Sequence, residues 1–154
     1  MYDVKPVTTA HATACGAACM KMLLDYYGVN VPLEDLISEL GTKITGCTMA
    51  DLKRVGTAHG LNSYACKMDA GDLVKQDRPA IIHWKGTHWV VFCGVNGQGE
   101  PVICNPSSGR FPLSRGSFDR FFDGFAYFSG DPDDAIDRAD YFGENTPEPE
   151  YFDR

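Results

Sequence analysis

The sequence predicts an α+β domain, with N-terminal helices packed on an antiparallel β-sheet. Up to Gly60 the apolar residues recur at helical spacing between recognisable start and stop signals. After Gly60 they fall into short β-rich runs bounded by turn residues. Helices first and strands second is the order of an α+β plan, and 154 residues suffice for one domain with its own core.

The first predicted helix covers 16–27, where Ala17, Ala18, Met20, Met22, Leu23 and Leu24 leave almost no polar side, so it should be buried; Gly28 supplies its stop. Pro32 opens a second helix that Gly41 ends, with Glu34 and Asp35 in the first turn, where the helix dipole favours them. Thr48 can cap a third, with Asp51 three residues on and a stop at His59-Gly60. The candidate strands are 61–67, 80–84, 88–95, 102–105 and 125–128, with Asn96-Gly97-Gln98-Gly99 as a hairpin connection and a short helix around 114–122.

Charge divides the chain. Residues 1–128 hold twelve acidic and twelve basic side chains, whereas 129–154 hold nine Asp or Glu against two Arg, with Pro132, Pro147 and Pro149 among them. The expectation is a domain over 1–128 and an acidic, mobile tail or linker over 129–154, a composition that buries little. Neither part has the basic patch that nucleic-acid binding needs. No apolar run approaches a membrane span, and the N-terminus lacks the features of a secretory signal, which predicts a cytoplasmic protein. The six cysteines are spread over a chain large enough to fold without staples, so reduced thiols are expected. Cys15 and Cys19 are four apart, which puts them on one helical face instead of in a Cys-x-x-Cys site. Neither metal nor cofactor is predicted.

Cys15 immediately precedes Gly16 at a helix start, where backbone N–H groups and the dipole stabilise a thiolate and can bring its pKa to about 3.5–7.5. The alternative is an inert buried thiol. A nucleophile also needs a base, and His88 suits best because it stands at a strand start, after the turn Gly86-Thr87. His59 is accounted for by a helix C-terminus, His83 by a place in or beside the core, and His11 lies in the segment before Cys15. Asn105, followed by Pro106, could accept a hydrogen bond from the imidazole and fix its tautomer; its other reading is a turn initiator.

Taken together these segments resemble the double-glycine leader peptidases, the papain-like domains at the N-terminus of bacteriocin-exporting ABC transporters. The resemblance rests on Cys15-Gly16-Ala17-Ala18-Cys19 running into Leu23-Leu24-Asp25-Tyr26-Tyr27-Gly28, on Pro32-Leu33-Glu34-Asp35-Leu36, Gly46-Cys47-Thr48 and Pro79-Ala80-Ile81-Ile82-His83-Trp84, and on His88-Trp89-Val90-Val91 and Asn105-Pro106-Ser107-Ser108-Gly109. It implies a papain-like fold and a cysteine endopeptidase that cuts a precursor peptide after a pair of glycines. Cys15 would be the nucleophile, His88 its base and Asn105 the residue that holds His88. Its partners would be a precursor with a double-glycine leader and the membrane and ATPase portions of an ABC exporter, at the inner face of the membrane.

The chain departs from the family pattern at Thr9, where a Gln six residues before the nucleophile helps to form the oxyanion hole. Thr9 and His11 are the candidate replacements. Ala14 stands where an acidic residue is common, and Asn105 where the family has Asp. Losing one oxyanion donor costs about 10²–10³ in rate in another protease. Thr9 therefore keeps a second class of function open, a peptidase-like domain that binds leaders or a partner without cutting. A third is another acyl transfer run by the same triad.

Overall fold

The computed structural model describes residues 1–41, 47–85, 88–130 and 141–142. Gly46, the turn at Gly86-Thr87 and most of the predicted tail, with its prolines, lie outside them. The elements in chain order are α1 (Cys15–Tyr26), α2 (Leu33–Leu40), α3 (Met49–Ala58), β1 (Ser63–Lys67), α4 (Ala70–Lys75), β2 (Ala80–Trp84), β3 (His88–Val95), β4 (Pro101–Asn105), β5 (Gly109–Pro112), α5 (Arg115–Phe121), β6 (Phe122–Ser129) and β7 (Tyr141–Phe142). A single 3₁₀ turn, Ala12–Ala14, leads into α1. The fold is the predicted α+β arrangement of helices on an antiparallel sheet.

The strands form one sheet in the order β5-β4-β3-β2-β6-β1-β7, with every neighbouring pair antiparallel. Alternation along the strands sends Ile81, Trp89, Val91 and Cys93 to one face and Ile82, Trp84, Val90 and Phe92 to the other. Helix α1 lies on the first face under α2 and α3. Met20, Met22, Leu23 and Leu24 are fully buried there with Leu36 and Leu52, each such side chain contributing about 1.5–3 kcal/mol. The second face is closed by Leu73 of α4 and Phe118 of α5. Because β2 is covered on both sides, all five of its residues are buried, including His83.

Local signals place most boundaries. Gly28 and Gly41 take positive φ after α1 and α2, and Thr48 forms a capping box with Asp51. Pro32, expected inside α2, is its N-cap. Two short elements were not anticipated. Helix α4 is six residues long and contains Gly71, but Asp69 caps it by accepting from the Asp72 N–H. Strand β5 is a four-residue edge strand ending in Pro112, too brief to show alternation. Strand β6 runs from Phe122, three residues earlier than expected, and joins α5 without a loop. In the segment read as a tail, Tyr141 and Phe142 pair with Cys66 and Ala65 as β7.

Two features of this topology set up the site. His88 begins β3 and Asn105 ends the adjacent antiparallel β4, so both stand at one end of the sheet. Helix α1 packs on β3, with Gly16 against Trp89, which brings the start of α1 to that same end.

Candidate active site

Cys15 is the first residue of α1 and is 4% exposed. The helix can start so close to the sheet because residue 16 is glycine. A Cβ there would lie 2.1 Å from Cys47 Sγ and 3.6 Å from Trp89 Cδ1. The backbone N–H groups of Trp89, Gly16 and Cys15 itself lie near the Cys15 sulfur and pull its pKa down, yet burial outweighs them and pushes the thiol up. This corrects the expectation of a depressed pKa: the donors are present, but desolvation of the anion is larger. Burial thus favours the neutral thiol at this position.

His88 is half-buried, and its Nε2 lies 2.8 Å from Asn105 Oδ1. Asn105 Oδ1 also accepts from the Ser107 N–H at 3.0 Å and the Ser107 hydroxyl at 2.7 Å. A backbone N–H can only donate, so the amide oxygen is the atom facing both Ser107 and the imidazole. His88 therefore carries its proton on Nε2 and leaves Nδ1 as an acceptor. Trp89, whose backbone N–H lies near the Cys15 sulfur, directly follows His88 in β3.

Thr9 lies beside the Asn105-Pro106 turn, its N–H donating to the Pro106 carbonyl at 2.8 Å. Its Oγ1 accepts from the His11 N–H at 3.2 Å, which leaves the hydroxyl proton as a donor. His11 is exposed. The remaining histidines are structurally engaged. His59 ends α3 and bonds Glu39, 2.8 Å away. His83 is 2% exposed, its Nδ1 is 2.5 Å from Asp123 Oδ2, and its ring meets Trp89 edge-on at 4.9 Å. All six cysteines are buried.

Sequence reasoning missed Trp89, whose N–H reaches the nucleophile candidate, and Ser107, which fixes the Asn105 amide. Both stand next to predicted site residues, but only strand register reveals their contacts. The Asp123 carboxylate gave no signal at all, being one of many acidic residues until β6 is placed beside β2.

The peptidase C39 family model matches residues 3–133. The chain is 30% identical over 122 residues to the probable microcin-H47 secretion/processing ATP-binding protein MchF of Escherichia coli, covering 79% of this chain and 17% of that protein. It thus spans about a sixth of that relative's length. It is also 28% identical over 118 residues to an uncharacterized protein of Methanothermobacter thermautotrophicus, covering 77% of this chain and 82% of that one. Among solved structures it resembles a double glycine motif protease from an AMS/PCAT transporter, solved in complex with the leader peptide. The TM-score is 0.78 at 30% identity, over 82% of this chain and 91% of the other.

Proposed function

The chain belongs to the peptidase C39 family, and on that premise we propose that it is a cysteine endopeptidase cutting a bacteriocin-like precursor peptide after a double-glycine leader. The observation that carries this reading is the 2.8 Å bond from His88 to Asn105, made one residue away from the N–H on the Cys15 sulfur. In this mechanism Asn105 Oδ1 holds the His88 Nε2–H, and His88 Nδ1 takes the Cys15 proton. The thiolate attacks the scissile carbonyl, forming a C–S bond and a tetrahedral oxyanion. His88 returns the proton to the leaving amine as the C–N bond breaks. Water then hydrolyses the thioester with His88 as base, releasing the leader carboxylate and restoring the thiol. Thr9 and His11 are the candidate oxyanion donors, with the Thr9 hydroxyl proton able to serve.

Residues 1–128 would form the peptidase domain and 129–154 a linker. The similarity to secretion/processing ATP-binding proteins supports action at the cytoplasmic face of a membrane, beside the membrane and ATPase portions of an exporter. Among the described residues no helix is long and apolar enough to cross a membrane itself.

The test is mass spectrometry of the chain mixed with a peptide ending its leader in Gly-Gly. One cut after the second glycine is expected, and Cys15→Ala should abolish it. Binding without cleavage would instead support the non-cutting receptor, the reading that Thr9 favours.

A further inference from the structure

His83 and Asp123 form a buried polar pair that the cleavage chemistry does not use. The pair is largely enclosed: β2 is covered on both faces, His83 is 2% exposed, and the Asp123 side chain is 14% exposed. An imidazole and a carboxylate cost desolvation at such a place, and a pair of apolar side chains of similar volume generally packs there at least as stably. The pair therefore needs an explanation beyond filling space.

The geometry supplies one through Trp89. The indole is held on three sides: the His83 ring meets it edge-on at 77°, its Nε1–H donates to the Cys47 carbonyl at 3.3 Å, and its Cδ1 edge lies over Gly16. His83 and Trp89 are also direct cross-strand partners, as are Trp84 and His88. The main chain of Trp89 carries the N–H that bonds Cys15 and is joined by a peptide bond to His88. Fixing this ring fixes the spacing between the sulfur, its donor and the base.

We propose that His83 and Asp123 are positioning residues: Asp123 orients the His83 ring, His83 clamps the Trp89 indole, and Trp89 thereby holds its own N–H on the Cys15 sulfur and His88 beside it. This rests on reading Cys15 as the nucleophile. The titratable groups facing His83 are Asp123 from β6 and His88 from β3. Burial outweighs the pull of Asp123 and lowers the His83 pKa, so the ring is neutral near pH 7 and donates its Nδ1–H to the carboxylate. An Asn at position 123 can accept the same hydrogen bond, whereas Ala cannot. That difference separates orientation from charge.

The experiment compares parent, Asp123→Ala, Asp123→Asn and His83→Leu in two assays, after circular dichroism shows each to be folded. The first is the pH profile of Cys15 alkylation by iodoacetamide, read by peptide mapping without any substrate. Asp123→Ala and His83→Leu should shift the profile alkaline by about one unit, a tenfold slower reaction near neutral pH, and Asp123→Asn should recover most of the rate. The second is cleavage of a double-glycine leader peptide, where kcat should fall by roughly 10–10² with KM nearly unchanged and the same rescue. If folded Asp123→Ala alkylates at the parent rate and pH, the pair only packs and the inference is overturned. Should His83→Leu not fold, the contrast between Asp123→Ala and Asp123→Asn decides alone. A parent that alkylates at Cys15 but cuts no leader defeats the proposed function, and the alkylation profiles still decide this inference.

Discussion

The Cys15 sulfur has backbone donors around it and little water, and the second condition dominates its pKa. In the proposed mechanism its reactivity comes from proton transfer to His88 rather than from a thiolate standing ready. Cys15 should nonetheless alkylate before the other five cysteines. Cys19 is fully buried with its pKa raised well above normal, and Cys93 is pushed up by Cys104 and by burial. Cys104 is the informative rival: its hydrogen bond with Cys93 and the Arg110 guanidinium lower its pKa, but it has no exposed surface. First labelling at Cys104, found by peptide mapping after a brief iodoacetamide pulse, would contradict the assignment. Thr9 gives a second prediction. Thr9→Gln should raise single-turnover kcat on a double-glycine leader by up to about 10²–10³, with KM little changed, if the oxyanion hole lacks a donor. A neutral Thr9→Gln together with an inactive His11→Ala would assign that role to His11. Cys15, His88 and Asn105 were singled out by residue type together with the family resemblance, and of these the structure shows the His88–Asn105 bond. The Trp89 N–H, the Ser107 bonds and the His83–Asp123 pair could not, since each depends on which strand lies beside which.

Helix α1 shows how an element comes to depend on one small residue. Gly16 admits both Cys47 and Trp89 to the helix start. Gly16→Ala should cost about 1–3 kcal/mol in denaturant unfolding, because the new methyl meets Cys47 Sγ. In a Cys47→Ala background the clash disappears, since the next Cys47 atom is 3.6 Å away, and the same substitution should then cost far less. Equal costs in both backgrounds would show that the crowding lies elsewhere. The buried character of α1 and the caps at Thr48 and Gly41 were legible because composition and local chemistry determine them. Helix α4 and strand β5 were not, because an Asp cap and pairing with β4 stabilise segments too short to carry a periodicity.

For the whole molecule, the core predicts an alkaline limit to stability. Burial raises the Tyr127 pKa from the usual 10 to about 12, against the pull of its bond to the Ser63 hydroxyl. The unfolded chain ionises first, so this stabilisation is complete below about pH 10 and disappears as pH rises toward 12, a loss of about 2–3 kcal/mol. Chemical denaturation across that range should show the decline, and Tyr127→Phe should flatten it. Truncation after Gly130 should lower Tm by only a few degrees, because it removes just the two-residue pairing of β7 among the described contacts. A collapse in Tm would place the region beyond Gly130 within the folding unit. In the proposed mechanism Cys15 carries the acyl group of the leader. The direct test is intact-mass analysis of the chain quenched in acid during turnover of a double-glycine precursor. An adduct equal to the leader acyl group is expected, located on Cys15 by peptide mapping and absent from Cys15→Ser. Cleavage with no adduct on Cys15, or an adduct on another cysteine, would contradict it.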